Sequence, residues 1–168
     1  EGGAAVLPLK NDVKKIALIG PLADDTGEMM GAWGLTKRDP DVVTVKDALE
    51  QRMKEAGGSL LYAKGTEISG NSESGFAEAV EDAKQADVVV MALGESAEMS
   101  GEAGSRAYLD LPGNQEKLLE QVAGTGKRVV LLVFSGRPLV LDWAAKHVPA
   151  IMETWFPGTE AGNAIADL

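Results

Sequence analysis

The stretch "DVVVMALGE" (87–95) decides the fold class of this chain. Its centre, 88–93, is an unbroken apolar run with no polar residue alternating into it. A continuous run of this kind is typical of a strand that is buried on both faces, as in the middle of a parallel sheet. We therefore predict a central strand here, with a loop beginning at its end.

The segments on either side alternate between strand patterns and helix patterns. Short β-rich runs occupy 14–21, 59–65, 127–136 and 149–156, and apolar residues recur at helical spacing in 43–58, 74–86 and 113–126. A shorter strand leading into a helical turn is predicted over 137–147, and a last helix after 158 with Thr159 as its N-cap. This alternation predicts an α/β domain with a mostly parallel sheet of about five to six strands and helices on both faces.

The composition excludes several classes of function. The chain has 168 residues, 45% of them hydrophobic, which suits one globular domain. Its net charge of −10 argues against a nucleic-acid partner or an anionic membrane surface. With no cysteine and one histidine, we expect no metal and no cofactor. Asp24, Asp25 and Glu28 leave a calcium site open, but they lack EF-hand spacing and solvated surface acids are favoured.

The residues that follow two of the predicted strands do not match the common nucleotide-binding or serine-hydrolase motifs. The residues after the first strand, "IGPLADDTGEMMG" (19–31), match neither a dinucleotide fingerprint nor a P-loop, which leaves a response-regulator-like acidic pocket as a minor alternative. "GESAE" (94–98) departs from the G-x-S-x-G nucleophile elbow at its last position. The one histidine, His147, lies in a helix-to-strand connection, where a surface residue is expected. The sequence therefore disfavours a nucleotide site and a serine hydrolase.

Ligands of parallel α/β sheets bind where loops leave the carboxyl ends of strands. Two long regions with little regular structure, 21–43 and 94–112, begin at such ends. The first holds Trp33 between glycines, where its indole either packs back on the sheet or offers a platform to a sugar ring. Trp155, in a predicted strand, is expected in the core.

The second region is acidic and rich in small residues, which let a backbone approach a ligand closely. A carboxyl group that acts as a general acid needs a raised pKa, obtained when a substrate or a second domain covers it. The residues alone leave open whether Glu95, Glu98 or Glu102 does chemistry, or whether the loop is simply solvated.

Several segments in order resemble a known family: "KKIALIGPLADDTGEMMGAWG", "LLYAKG", "ADVVVMALGESAEMSGEAGSR", "LDLPGNQEKLLEQV", "VVLLVFSGRPLVL" and "IMETWFPGTEAGNAIADL". Together they resemble the C-terminal α/β-sandwich domain of glycoside hydrolase family 3, of the bacterial periplasmic β-glucosidase type. The resemblance implies that 14–168 is this domain, truncated at its C-terminus, and that 1–13 is the remnant of an interdomain connector.

In that family a preceding barrel domain supplies an aspartate nucleophile in an "SDW"-type motif, and the sandwich domain supplies the general acid/base. The resemblance thus implies a retaining, exo-acting β-glucosidase that hydrolyses terminal β-D-glucosyl residues, located in the periplasm or secreted. This chain has no "SDW" motif. We therefore expect it to be inactive without the barrel domain, which would be its partner along with the β-glucoside substrate.

The family's acid/base falls on the glutamate of "GEAGSR", which is Glu102, with Glu98 as the alternative. Glu95 is expected to position the loop, and Arg106 to anchor it or to hold a carboxylate. Trp33 matches the family's loop tryptophan that stacks on the sugar in the leaving-group subsite. Two rivals remain: a non-catalytic carbohydrate-binding or interaction module on the same fold, and a flavodoxin-like binding domain, which the missing phosphate fingerprint disfavours.

Overall fold

A computed structural model of the chain describes residues 6–10, 12–34 and 41–167 and shows a five-stranded sheet. The strands are β1 (Lys15–Ile19), β2 (Ser59–Ala63), β3 (Val88–Gly94), β4 (Arg128–Phe134) and β5 (Ala150–Glu153). Their order is β2-β1-β3-β4-β5, and every neighbouring pair is parallel. All residues of the central β3 are buried. The predicted fold class is confirmed.

Helices cover both faces of this sheet. They are α1 (Val45–Glu55), α2 (Phe76–Gln85), α3 (Gln115–Ala123), α4 (Asp142–His147) and α5 (Ala161–Ala166). Successive strand residues point to opposite faces, so Val90 packs in the core with α1 and α5, whereas Met91 packs with α2, α3 and α4. The apolar strands are therefore buried from both sides.

Two segments differ from their predictions. The stretch 137–141 forms no strand, and only helix α4 follows it. Pro138 cannot donate a backbone hydrogen bond to a sheet, and β5 takes the place beside β4. The N-cap of α5 is Glu160, without a side-chain hydrogen bond. Thr159 instead uses its backbone oxygen to accept from Val43 N at 2.9 Å.

The predicted position of Trp155 is wrong as well. Strand β5 ends at Glu153, two residues earlier than the indole, and Trp155 is 49% exposed with a φ of 56°. His147 is exposed, as predicted, and its ring stacks on Trp143 at a centroid distance of 4.4 Å.

The described part of the predicted connector 1–13 packs on the domain. Val6 and Val13 are buried in the core on the α1 side of the sheet, while residues 1–5 and 11 lie outside the described residues. The boundary at residue 14 stays a prediction. Within the described ranges, no helix is both long enough and apolar enough to cross a membrane.

Candidate active site

The strand order reverses between β1 and β3, because β1 continues to β2 on one side and β3 continues to β4 on the other. Such a switch point opens a crevice at the carboxyl ends of the strands, and it is where open α/β sheets bind their ligands. The loop after β1 carries Trp33, and the loop after β3 carries Glu102. We call them the Trp33 loop (20–34) and the Glu102 loop (95–106). Residues 35–40, which belong to the predicted region 21–43, lie outside the described residues.

The two loops contact each other directly. The Glu28 carboxylate, in a 3₁₀ turn of the Trp33 loop, accepts a hydrogen bond from the backbone N–H of Ala97. Further along, a Cβ placed on Gly101 would lie 2.8 Å from the Cβ of Ala32, so the two backbones are packed closely there. Ala32 and Gly101 lie one residue before Trp33 and Glu102, and the Glu28–Ala97 hydrogen bond joins the two loops. The structure therefore brings Trp33 and Glu102 to the same part of the sheet edge.

Trp33 extends into solvent, with 71% of its surface exposed. The interpretation of Trp33 as a plug that packs back on the sheet is therefore wrong. An exposed indole beside the switch point presents a flat apolar face, which is the kind of surface that sugar rings stack on.

The three glutamates of the Glu102 loop have different surroundings. Glu95, directly after β3, is fully buried and accepts a hydrogen bond from Arg106 Nη1 at 2.7 Å. Arg106 Nη2 donates to Asp110 O at 3.1 Å. Arg106 therefore holds a carboxylate and anchors the loop at the same time. Glu98 and Glu102 are exposed, so only these two are placed to meet a substrate.

The acidic residues that suggested a calcium site are bound within the protein. Asp24 forms an ion pair with Lys46 at 2.8 Å, and Asp25 accepts from Glu28 N at 2.8 Å. Together with the Glu28–Ala97 hydrogen bond, these contacts fix the shape of the Trp33 loop. The part of the chain that the structure describes has no cluster of three or more potential metal ligands.

Sequence reasoning missed two residues, one that holds the end of β3 and one that holds the loop after it. Gln115, at the start of α3, is fully buried. Its side-chain oxygen accepts from Gly94 N and its side-chain nitrogen donates to Gly94 O, both at 2.8 Å. Arg137, just after β4, donates through Nη2 to the backbone oxygens of Met99 and Gly104. Their signals were a glutamine in line with the apolar face of a helix and an arginine directly beyond a buried strand.

A further carboxylate, Glu153, lies at the end of β5. Its Oε1 accepts from Trp155 N at 3.2 Å and from Ser135 Oγ at 3.4 Å. Burial raises the pKa of Glu153, and the negative charge of Glu95 adds to that rise, whereas the two hydrogen bonds oppose it. The folded state therefore favours the protonated form of Glu153 over the ionised form.

This raised pKa predicts a pH-dependent gain in stability for Glu153→Gln. Ionisation of Glu153 costs the folded state free energy as the pH rises above the unfolded glutamate pKa of about 4.3. The variant keeps the accepting oxygen and loses the charge. Its free energy of unfolding, relative to the wild-type chain, should therefore increase between about pH 4 and pH 7. Urea titrations at four pH values measure this, with the exposed Glu120→Gln as the control for losing one negative charge. A difference that does not change with pH would contradict the assignment.

The chain is similar to known proteins over nearly its whole length. The sequence profile of the "Glycosyl hydrolase family 3 C-terminal domain" matches residues 3–168. This chain belongs to glycosyl hydrolase family 3. The family 3 domain is 39% identical, over 96% of its length, to a periplasmic β-glucosidase of Salmonella typhimurium, and 37% identical, over 98%, to a β-xylosidase of Formosa agariphila.

Solved structures agree with this assignment. A mutant β-glucosidase from Listeria innocua in complex with laminaribiose matches all of this chain with a TM-score of 0.87 and 39% identity. The chain spans 22% of that structure and 24% of each of the two sequence relatives. The relatives are therefore longer enzymes, of which this domain corresponds to one part.

Proposed function

We propose that this family 3 domain supplies Glu102 as the general acid/base of a retaining, exo-acting β-glucosidase that removes terminal β-D-glucosyl residues. The nucleophilic aspartate would come from a barrel domain of the same enzyme, with residues 1–13 leading from that barrel into this domain. The observation that carries the proposal is the position of Glu102. It is exposed on a loop that is fixed to the switch point of the sheet and packed against the loop of Trp33.

The chemistry needs two carboxyl groups on opposite sides of the glycosidic bond, about 5–5.5 Å apart. The barrel aspartate attacks the anomeric carbon while the Glu102 carboxyl gives its proton to the leaving oxygen. Glu102, now a carboxylate, then takes a proton from the water that attacks the glycosyl-enzyme. Glu102 is exposed in this domain, which is the arrangement expected if a second domain completes the site over it.

We propose Trp33 as the platform for the leaving-group sugar. The close approach of Ala32 to Gly101 supports this role, because each lies one residue before a proposed site residue. A ring stacked on Trp33 would therefore lie on the leaving-group side of the bond. The similarity to a periplasmic β-glucosidase supports a periplasmic or secreted location, and the similarity to a β-xylosidase makes β-xylosides the natural comparison substrates.

A complementation assay tests this division of labour. The family 3 domain alone should hydrolyse 4-nitrophenyl β-glucoside no faster than the spontaneous rate, because it lacks the nucleophile. Adding a separately produced barrel domain should restore turnover, and adding the barrel to a Glu102→Ala domain should restore much less. Strong activity of this domain alone would contradict the proposal. A non-catalytic carbohydrate-binding module would give the same turnover with either form of the domain.

A further inference from the structure

One arginine holds both ends of the segment that contains Glu102. The Nη2 atom of Arg137 donates to Met99 O and also to Gly104 O, the latter at 2.8 Å. These two carbonyls bracket Glu102 in the sequence. A single guanidinium nitrogen therefore closes the backbone around the proposed acid/base, from a strand end that is more than 30 residues away along the chain.

Buried Glu95 orients this arginine. Glu95 Oε2 lies 3.4 Å from Arg137 Nε, and Glu95 Oε1 lies 2.7 Å from Arg106 Nη1. Among the described residues, neither Glu95 Oε2 nor Arg137 Nε has a hydrogen-bond partner. Each of these buried atoms therefore has the opposite charge of the other as its neighbour. The side chains of the two arginines are only 18% and 22% exposed. Since ion pairs are strong where water is excluded, Glu95 fixes the direction of both guanidinium groups.

The tip of the segment between the two carbonyls, Glu102 and Ala103, is not covered by the rest of the domain. Ala103 has a φ of 61°, a backbone conformation that is strained for a residue other than glycine. One backbone hydrogen bond crosses the turn, from Gly104 N to Gly101 O at 2.9 Å. The strained turn therefore depends on its fixed ends.

We propose that Arg137, oriented by Glu95, is a positioning residue that sets where the Glu102 carboxyl stands relative to the leaving oxygen. This inference rests on the proposed function of Glu102. Without Arg137 the loop keeps its glutamate but loses the fixed ends of the turn. A misplacement of about 1 Å at a catalytic group can lower a rate about 10²-fold.

The test compares two substrates in the complete enzyme. Arg137→Ala should lower kcat/KM about 10²-fold for phenyl β-glucoside, whose poor leaving group needs a proton. For 2,4-dinitrophenyl β-glucoside, which leaves without one, the loss should stay below about threefold. Methylguanidine in the assay should partly restore the phenyl β-glucoside activity of this variant. Equal losses on the two substrates would overturn the inference, because they would indicate general damage to the site.

A double variant shows whether Arg137 acts through Glu102. Combining Arg137→Ala with Glu102→Ala should cost no more than Glu102→Ala alone, since a positioning residue has nothing left to position. Additive losses would overturn the inference. Arg52→Ala on α1, which removes an exposed ion pair with Asp167, is the matched control and should leave the ratio of the two substrates unchanged.

Two outcomes separate this inference from the proposed function. If Glu102→Ala shows no preference for losing phenyl β-glucoside activity, the role of Glu102 is wrong. If Glu102→Ala shows that preference and Arg137→Ala does not, only the positioning role is wrong. If circular dichroism shows that Arg137→Ala does not fold, Arg137→Lys replaces it in the test. Lysine keeps a positive charge near Glu95 but lacks the planar, forked guanidinium group. A selective loss with that variant supports positioning, and an unchanged ratio overturns it.

Discussion

Replacing Glu102 by alanine in the complete enzyme is expected to lower kcat/KM for phenyl β-glucoside by about 10²- to 10⁴-fold. The same change should lower kcat/KM for 2,4-dinitrophenyl β-glucoside by less than about tenfold. A poor leaving group needs the proton of a general acid in the transition state, whereas dinitrophenolate leaves as a stable anion. Initial rates over a series of aryl β-glucosides, plotted against the pKa of the leaving phenol, measure the difference.

Glu98→Ala is the matched control for this prediction. Glu98 is an exposed glutamate of the same loop, in the 3₁₀ turn Ala97–Ser100, and its removal takes away the same charge. It should leave the dependence on the leaving group unchanged. If Glu98→Ala shows the steep dependence and Glu102→Ala does not, the acid/base is Glu98.

Gly94→Ala is expected to cause the largest loss of stability. Gly94 ends β3 with a φ of 149°, and a Cβ added there would lie 1.8 Å from the backbone oxygen of Phe134 on β4. The backbone strain and the clash together should cost about 3–5 kcal/mol of unfolding free energy. Urea unfolding of the wild-type and variant chains measures this as a lower midpoint at unchanged slope.

Gly57→Ala separates strain from clash. Gly57 also has a positive φ, 67°, but a Cβ there would meet nothing within 4 Å. Its substitution should cost about 1 kcal/mol. Equal losses for the two variants would show that the contact of Gly94 with β4 has no special weight.

The fold class could be predicted from the sequence because its signal is local. An unbroken apolar run such as 88–93 has no stable place except a strand covered on both faces, and the alternation with helices leaves few topologies. The same reasoning led to the carboxyl ends of β1 and β3. Local pattern failed for Trp155, whose position depends on where β5 stops pairing with β4.

The support of the site could not be predicted in the same way. Arg137 meets Met99, 38 positions before it, only because β3 and β4 are neighbours in the sheet. Gln115 reaches Gly94 because α3 packs against the end of β3. Such contacts are set by tertiary structure: the sequence marks Gln115 and Arg137 as unusual for their positions, but it does not show which residues they meet. Family resemblance singled out Glu102 without showing what holds its loop.

The most direct test of the acid/base role is the product that Glu102→Ala forms in the presence of azide. A retaining β-glucosidase holds its intermediate as an α-glucosyl-enzyme, and removal of the acid/base carboxylate opens the opposite face to a small anion. Proton NMR of the products should therefore show β-glucosyl azide, with turnover that increases with azide concentration. Formation of α-glucosyl azide would mean that the nucleophile had been removed. No azide adduct at all, with hydrolysis unchanged, would mean that Glu102 has no part in the chemistry.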